Sequence, residues 1–286
     1  MSSSYIVDCR MMLRPSDINL GDSHVMAIIN LTPDSFYGAS RHLSADDACD
    51  AVERVVREGA TIVDLGGYSS RPGAADVPLE EEWRRVHVGL EAVRKVECGV
   101  VVSIDTFRAE VVQRAYNEFG EFIVNDISAG EADDRMVATV ARLQLPYVAM
   151  HMRGTPETMQ SMTDYDEGVV VGVCHYLEHR AKELQSAGIA PKNIILDPGF
   201  GFAKSVEQNF ELMRGIDALR ALGYPLLIGV SRKSMIYKSL AITPEEALPG
   251  SLALAWEALR GGDAILRVHD VAATRQIVEL SKHYYR

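Results

Sequence analysis

Eight short apolar runs punctuate the chain: VMAIINL (25–31), TIVDLGG (61–67), VVVSIDT (100–106), FIVNDIS (122–128), YVAMHM (147–152), NIILDPG (193–199), PLLIGVS (225–231) and AILRVHD (264–270). They are rich in Val and Ile and too short for helices of ordinary length. Near-continuous apolarity is what a parallel strand covered on both faces requires. Between them lie longer stretches such as ADDACDAVERVVREGA (45–60) and LEEEWRRVHVGLEAVRKV (79–96), with apolar residues at three- and four-residue spacing and charges between. Eight strand–helix units in roughly 260 residues predict an α/β chain folded as a (β/α)8 TIM barrel; a doubly wound open sheet is the alternative. Residues 1–24 precede the first unit and are expected to form a short N-terminal extension packed on the barrel, as a strand or hairpin against its bottom. Residues 25–286 are then a single barrel domain, with no linker, low-complexity tract or second domain.

Composition narrows the function. With 286 residues, 47% of them hydrophobic, the chain is long enough to bury a substantial core. A net charge of −11 argues against a nucleic-acid binder held by phosphate contacts, but not against a local basic pocket for a small anion. Cys9, Cys49, Cys98 and Cys174 are scattered and form no C-x-x-C pair, which suits reduced thiols. No apolar stretch reaches the roughly 18–20 residues of a membrane span, and MSSSYIVDCRMMLRP at the N-terminus lacks the apolar segment of a signal peptide. A cytoplasmic protein with neither a membrane nor a nucleic-acid partner is expected.

In a barrel of this kind, active sites lie at the C-terminal ends of the strands. There the chain collects polar residues: Asn30, then Ser70 and Arg71, Asp105-Thr106, Asn125-Asp126, Met150-His151, Asp197, Arg232-Lys233, and Arg267 with His269 and Asp270. Singly, each reads more readily as a cap or turn former than as a catalyst, and Asp126, Ser128 and Asp270 are read in that way. Convergence of all eight ends on one mouth is the stronger signal. Asp105, Asn125 and Asp197 suit a ligand edge rich in N–H donors, such as a guanidine-like heterocycle. A buried Asp197 carboxylate should meet that edge or Lys233. Arg71, Arg267 and His269, with Asn30, suit phosphate or diphosphate. DPGFGFAK (197–204) is glycine-rich but is neither a Walker loop nor a dinucleotide fingerprint; its turn is expected to set Phe200 or Phe202 over the pocket. No metal cluster stands out among the dispersed histidines, although Mg²⁺ delivered with a phosphate ligand needs only one or two protein oxygens.

NLTPDSF, GGYSSRPG, SIDTF, VNDIS, DPGFGFAK, GVSRKS and RVHDV stand in the order seen in the dihydropteroate synthase family, and the chain resembles that family from about residue 24 to the C-terminus. The resemblance implies a folate-biosynthesis transferase. It joins 6-hydroxymethyl-7,8-dihydropterin diphosphate to p-aminobenzoate, and the family is usually homodimeric and a sulfonamide target. By matching positions, Asp105, Asn125, Asp197, Lys233, Met150, Phe202 and Arg267 would bind the pterin. Asn30, Arg71, Arg267 and His269 would hold diphosphate, with Mg²⁺ at Asn30. Phe36, Ser70, Pro72, Lys233 and Ser234 would shape the p-aminobenzoate site. Asp105, Lys233, Asp34 and Phe36 would serve catalysis, the last two on a lid formed by TPDSF.

The chain departs from the family in several places. The first loop reads SFYGAS where SFSDGG is usual, so an acidic residue two places after Phe36 is absent and Asp34 stands alone. Ser70 replaces a usual Thr, Tyr68 a frequent Glu, and GFAK the common GFGK. Rival readings are a methyltransferase domain passing a methyl group from methyltetrahydrofolate to a corrinoid partner, an aldolase using Lys233 as a Schiff base, and a non-catalytic pterin binder. TPDSF, SSRPG and SRKS favour the synthase over the methyltransferase.

Overall fold

The computed structural model describes residues 12–32, 44–68, 76–96, 99–155 and 158–285. Eight parallel strands follow one another: β1 (His24–Asn30), β2 (Ile62–Gly66), β3 (Val101–Asp105), β4 (Ile123–Asp126), β5 (Tyr147–Met150), β6 (Ile194–Asp197), β7 (Leu227–Ile228) and β8 (Ile265–Val268). Their order in the sheet is β6-β5-β4-β3-β2-β1-β8-β7, and a bridge between Leu196 and Leu226 closes the ring. The fold is therefore the expected (β/α)8 barrel.

Helices α1 (Ala45–Arg57), α2 (Leu79–Val96), α3 (Ala109–Phe119), α4 (Met136–Leu143) and α5 (Val169–Ser186) return the chain between strands. The second half does so with α6 (Val206–Arg214), α7 (Ile216–Arg220), α8 (Ser234–Leu240), α9 (Leu248–Leu259) and α10 (Val271–Tyr285). Local chemistry explains where they start. Ser44 caps α1 by accepting from Asp47 N, with Asp46 and Asp47 in the first turn and Arg54 and Arg57 in the last, matching the helix dipole. Ser205 and Gln208 form a reciprocal capping box at α6. Buried Ala48, Val52 and Val55 put α1's apolar stripe on the sheet. Among the described residues no helix is long and apolar enough to cross a membrane.

Strand alternation divides the interior in two. Residues such as Ala27, Val63, Val102, Val124 and Ala149 face outward into the layer between sheet and helices. Met26, Ile62, Val101, Ile123, Val148, Ile195, Leu227 and Ile265 form a separate apolar cluster with Leu20. These eight are the bottom rung inside the barrel. Residues 12–23 cover it with one bridge and a turn rather than a hairpin: Leu13 bridges Val101, Pro15–Asp17 make a 3-10 turn, and Leu20 is 9% exposed, while residues 1–11 of the expected extension lie outside the described residues. Each such side chain, fully buried, contributes about 1.5–3 kcal/mol, so the bottom of the barrel is packed core and the upper lumen is left for chemistry.

Candidate active site

Two residues beyond the bottom rung, alternation returns each strand to the lumen. Those positions are Ile28, Asp64, Ser103, Asn125, Met150, Asp197, Gly229 and Arg267. An apolar rung thus gives way in one step to a polar one.

Asp64 lies at its centre and is fully buried. Its Oδ1 accepts from Ser103 Oγ at 2.6 Å, and its Oδ2 accepts from Asn125 Nδ2 at 3.1 Å and Arg267 Nε at 2.7 Å. A buried carboxylate survives only with donors of this kind around it. One consequence concerns Asn125. Because its Nδ2 is committed to Asp64, its Oδ1 is presented as an acceptor.

The next rung up holds Asn30 and Asp105, paired in register on either side of Gly66. A Cβ on Gly66 would stand 3.8 Å from Asn30 Oδ1 and 3.9 Å from Asp105 Oδ2, so both side chains lean over the space glycine leaves. Arg267 Nη2 donates to Asp105 Oδ2 at 2.7 Å, so the guanidinium spans Asp64 and Asp105. Burial raises the Asp105 pKa to about 7; Arg267 opposes the shift and the Asp64 charge adds to it. Burial works against the Arg267 charge, but Asp64 and Asp105 outweigh it and raise its pKa. The guanidinium stays charged in this setting and is an always-charged group for an anion that enters the lumen.

Asp197 is 7% exposed, and its Oδ1 accepts from Gly199 N at 2.7 Å. Burial raises its pKa, with Lys233 the principal opposing charge. Burial lowers Lys233 to about 8, against the pull of Asp197. The hydrogen bond from Lys233 Nζ goes to the Phe200 carbonyl rather than to Asp197, and the ammonium sits 4.7 Å from the Phe202 ring centroid. Phe200 itself is fully buried in the sheet–helix core. Of the two candidate rings, Phe202 is the one at the mouth.

Met150 is in register with Asp197 and 4% exposed, and Ser234 opens α8 immediately after Lys233. His269 N donates to Ser231 Oγ at 3.2 Å, and the same hydroxyl lies 3.2 Å from His269 Nδ1. The structure thus gathers Asn30, Asp105, Asn125, Met150, Asp197, Phe202, Lys233, Arg267 and His269 at one end of the barrel. Asp34, Phe36, Ser70, Arg71 and Pro72 lie outside the described residues. Asp126 is a local staple: its carboxylate accepts from Ser128 N and Oγ, Gly130 N and the Tyr147 hydroxyl at 2.7–2.9 Å. Asp270 holds Arg232 through two bonds of 2.8 Å.

Sequence reasoning missed Asp64 and Ser103, although each is a polar residue of the right parity inside an apolar run. It also missed Glu82, which reads as part of an acidic first turn but is fully buried. Glu82 accepts from Thr106 Oγ1 and Arg108 Nη1, each at 2.6 Å, and burial raises its pKa. Arg108 also donates to Val77 O at 2.7 Å and lies over the Tyr68 and Phe107 rings. The end of β3 is thereby tied to both flanks of residues 69–75. On the outer surface, His87, Glu91 and Glu118 bring potential ligand atoms within 4.8 Å of one another, a grouping that sequence spacing did not suggest. His87 already bonds Glu118, and Glu91 pairs with Arg94.

The mouth offers acceptors for a donor-rich heterocycle low in the lumen and cations for an anion above it. Asn30 Oδ1 is an oxygen of the kind that Mg²⁺ takes as a ligand. A family model described as pterin binding enzyme matches residues 26–269. The dihydropteroate synthase of Haemophilus influenzae is 42% identical over 264 residues, covering 92% of this chain and 94% of the relative. The structure of Yersinia pestis dihydropteroate synthase with a sulfonamide drug complex superposes with a TM-score of 0.86 at 35% identity, over 93% of this chain and 96% of that one. The Xanthomonas albilineans dihydropteroate synthase with 4-aminobenzoic acid gives a TM-score of 0.84 at 38% identity, over 93% and 94% of the two chains.

Proposed function

The chain belongs to the pterin-binding enzymes, among the dihydropteroate synthases, and on that premise we propose that its polar rungs hold the pterin, with diphosphate and p-aminobenzoate above. The reaction is a transfer: 6-hydroxymethyl-7,8-dihydropterin diphosphate and p-aminobenzoate give 7,8-dihydropteroate and diphosphate. The observation that carries the residue assignment is the Asp64-ordered rung, in which Asn125 Oδ1 and Asp197 are presented as acceptors to a donor edge.

The division of labour follows from charge. Asp197 and Asn125 receive the pterin N–H groups, Met150 and Phe202 wall the ring, and Lys233 donates to its acceptors. Arg267, His269, Asn30 and Arg71 surround the diphosphate. The C–O bond to diphosphate breaks, and its electrons leave with the anion. The methylene left behind is electron-poor, and Asp105 and Asp197 favour that positive charge. The aniline nitrogen of p-aminobenzoate, held by Phe36, Ser70, Pro72, Lys233 and Ser234, forms the new C–N bond and sheds a proton. No protein nucleophile is required. Asn30 would hold Mg²⁺, which when bound would supply positive charge to the departing diphosphate. Asp34 and Phe36, which lie outside the described residues, would on the family reading keep water from the methylene.

A sulfonamide binds in the p-aminobenzoate position and competes with it. The enzyme acts in the cytoplasm as a homodimer; Trp256, Tyr284 and Tyr285 pack as a ring cluster on α9 and α10 beside Leu280, which is 56% exposed, and this apolar surface supports self-association. The decisive experiment follows diphosphate release from the pterin diphosphate with and without p-aminobenzoate and Mg²⁺. Release should require both. Release that ignores p-aminobenzoate would remove the assignment, and Asp197→Ala should lose pterin binding.

A further inference from the structure

Lys204 is 4% exposed, and its one direct bond to a residue assigned above to the substrate is to a backbone carbonyl, that of Phe202. Its ammonium lies 2.9 Å from the Gly199 carbonyl, 2.9 Å from the Phe202 carbonyl and 3.0 Å from His151 Nδ1. An ammonium has three N–H donors, and here each has its own acceptor. His151 is 2% exposed. Burial, then the Lys204 charge, drives its pKa down to about 2, so the ring is neutral and Nδ1 is free to accept. Burial also lowers Lys204, to about 7.

The three acceptors come from two elements. His151 follows β5, while Gly199 and Phe202 lie in the loop that leaves β6. That loop doubles back on itself, with φ of +66° at Gly199 and +50° at Ala203. It is also pressed against β5: a Cβ on Gly199 would stand 2.0 Å from the His151 carbonyl oxygen, and His151 N donates to Asp197 O at 2.9 Å. Gly199 gives its carbonyl to Lys204 and its N–H to Asp197 Oδ1. Phe202 gives its carbonyl to Lys204 and its ring to Lys233. Lys233 in turn holds the carbonyl of Phe200, between them. Buried Lys204 and half-buried Lys233 thus hold three carbonyls of one loop. Lys233 Nζ lies 3.9 Å from where a Cβ on Gly229, one of the lumen positions, would stand.

Burying an ammonium costs free energy that a hydrophobic residue of similar volume avoids. Packing alone does not explain a lysine at this position; fixing three carbonyl and imidazole acceptors in one geometry does. We propose that Lys204 is a positioning residue of the pterin pocket: through Gly199 it sets the Asp197 carboxylate, and through Phe202 it sets the ring that packs on Lys233. The inference rests on the assignment of Asp197 and Lys233 to the pterin.

Steady-state kinetics on Lys204→Met, His151→Gln and His151→Phe test it, with thermal unfolding measured in parallel. Lys204→Met should raise KM for the pterin diphosphate about tenfold or more, since displacing a binding group by a fraction of an ångström costs that much. KM for p-aminobenzoate at saturating pterin should stay within about twofold. His151→Gln keeps an acceptor for the ammonium and should remain near wild type, whereas His151→Phe should move in the direction of Lys204→Met. A folded Lys204→Met with unchanged pterin KM overturns the proposal. So does a loss confined to kcat and proportional to the unfolded fraction, the mark of a merely structural staple. If Lys204→Met does not fold, the same comparison between the two His151 variants decides. Wild-type turnover, measured alongside, tests the family reading separately: failure there leaves no pterin KM to compare, whereas failure of the proposal leaves wild-type kinetics intact.

Discussion

Asn125 carries an amide, and an amide can present either its oxygen or its nitrogen. Asp64 decides which. By taking Nδ2, and by holding Arg267 Nε at the same oxygen, it orients an acceptor and a cation together. Asp64→Asn keeps the volume but replaces one acceptor by a donor, so Asn125 loses its reason to face one way and Arg267 loses a charged partner. The expected cost is about 10²-fold in kcat/KM for the pterin diphosphate, or about 3 kcal/mol, the size of a broken hydrogen bond to a buried charge. Unchanged pterin kinetics in a folded Asp64→Asn would contradict the arrangement. The pH profile belongs to the same residues. Pterin capture uses Asp105 as a carboxylate and Lys233 as an ammonium, with pKa values of about 7 and about 8. Thus kcat/KM should rise toward pH 7 as Asp105 ionises and fall above pH 8 as Lys233 loses its proton. Lys233→Arg should lose the alkaline limb at whatever activity remains. Stability runs the other way on the acid side. The folded Asp105 pKa lies above its unfolded value of 3.8, so its contribution is complete below that pH and is lost as pH rises to about 7. The ligand-free enzyme should therefore lose stability through Asp105 over the range in which binding improves.

At the scale of elements, the loops are less independent than their separation suggests. Glu82 on α2, Thr106 after β3 and Arg108 at the start of α3 form one buried junction, and Arg108 reaches Val77 O and the Tyr68 ring on the two flanks of residues 69–75. Glu82→Gln keeps an acceptor for Thr106 but removes the charge that Arg108 faces. It should lower stability by about 1–3 kcal/mol, and it should raise KM for p-aminobenzoate more than KM for the pterin, because residues 69–75 include Ser70 and Pro72. Equal effects on both substrates would mean that the junction holds the barrel rather than the loop. Much of this architecture was legible in the sequence. Strands buried on both faces read as apolar runs, and polar residues at their ends marked the mouth. Asp64 escaped that reading because it lies inside β2 rather than at its end, whereas parity from the bottom rung leads straight to it. Glu82 escaped because an acidic first turn is the ordinary signature of a solvated helix start. Phe200 and Phe202 were indistinguishable because the positive φ at Gly199 and Gly201 breaks the alternation that assigns side chains to a face.

At the scale of the whole molecule, the barrel is not equally strong around its ring. β1 and β2 are paired over five registers, whereas β7 has two residues and meets β6 through the single bridge Leu196–Leu226. The two sides of that seam carry the pterin groups: Asp197 ends β6, and Lys233 follows β7. Charge sharpens the point. The chain carries a net −11, yet the lumen offers Lys233, which follows the two-residue β7, and Arg267 on β8 to an anionic substrate. Few backbone bonds span the seam, so local opening should be easiest there. A pterin that bonds Asp197 on one side and Lys233 on the other would brace it. Hydrogen exchange followed strand by strand tests this. In the free enzyme, amides of residues 194–197 and 226–229 should exchange faster than those of 26–30 and 62–66, although the first set is buried throughout and the second includes half-buried Ile28 and Asn30. Adding pterin diphosphate should slow the first set about tenfold or more and leave the second within about twofold, because ligand binding protects the openings that it opposes. Uniform protection of all eight strands would show that the ligand stabilises the barrel as a whole and that the seam has no special part in binding.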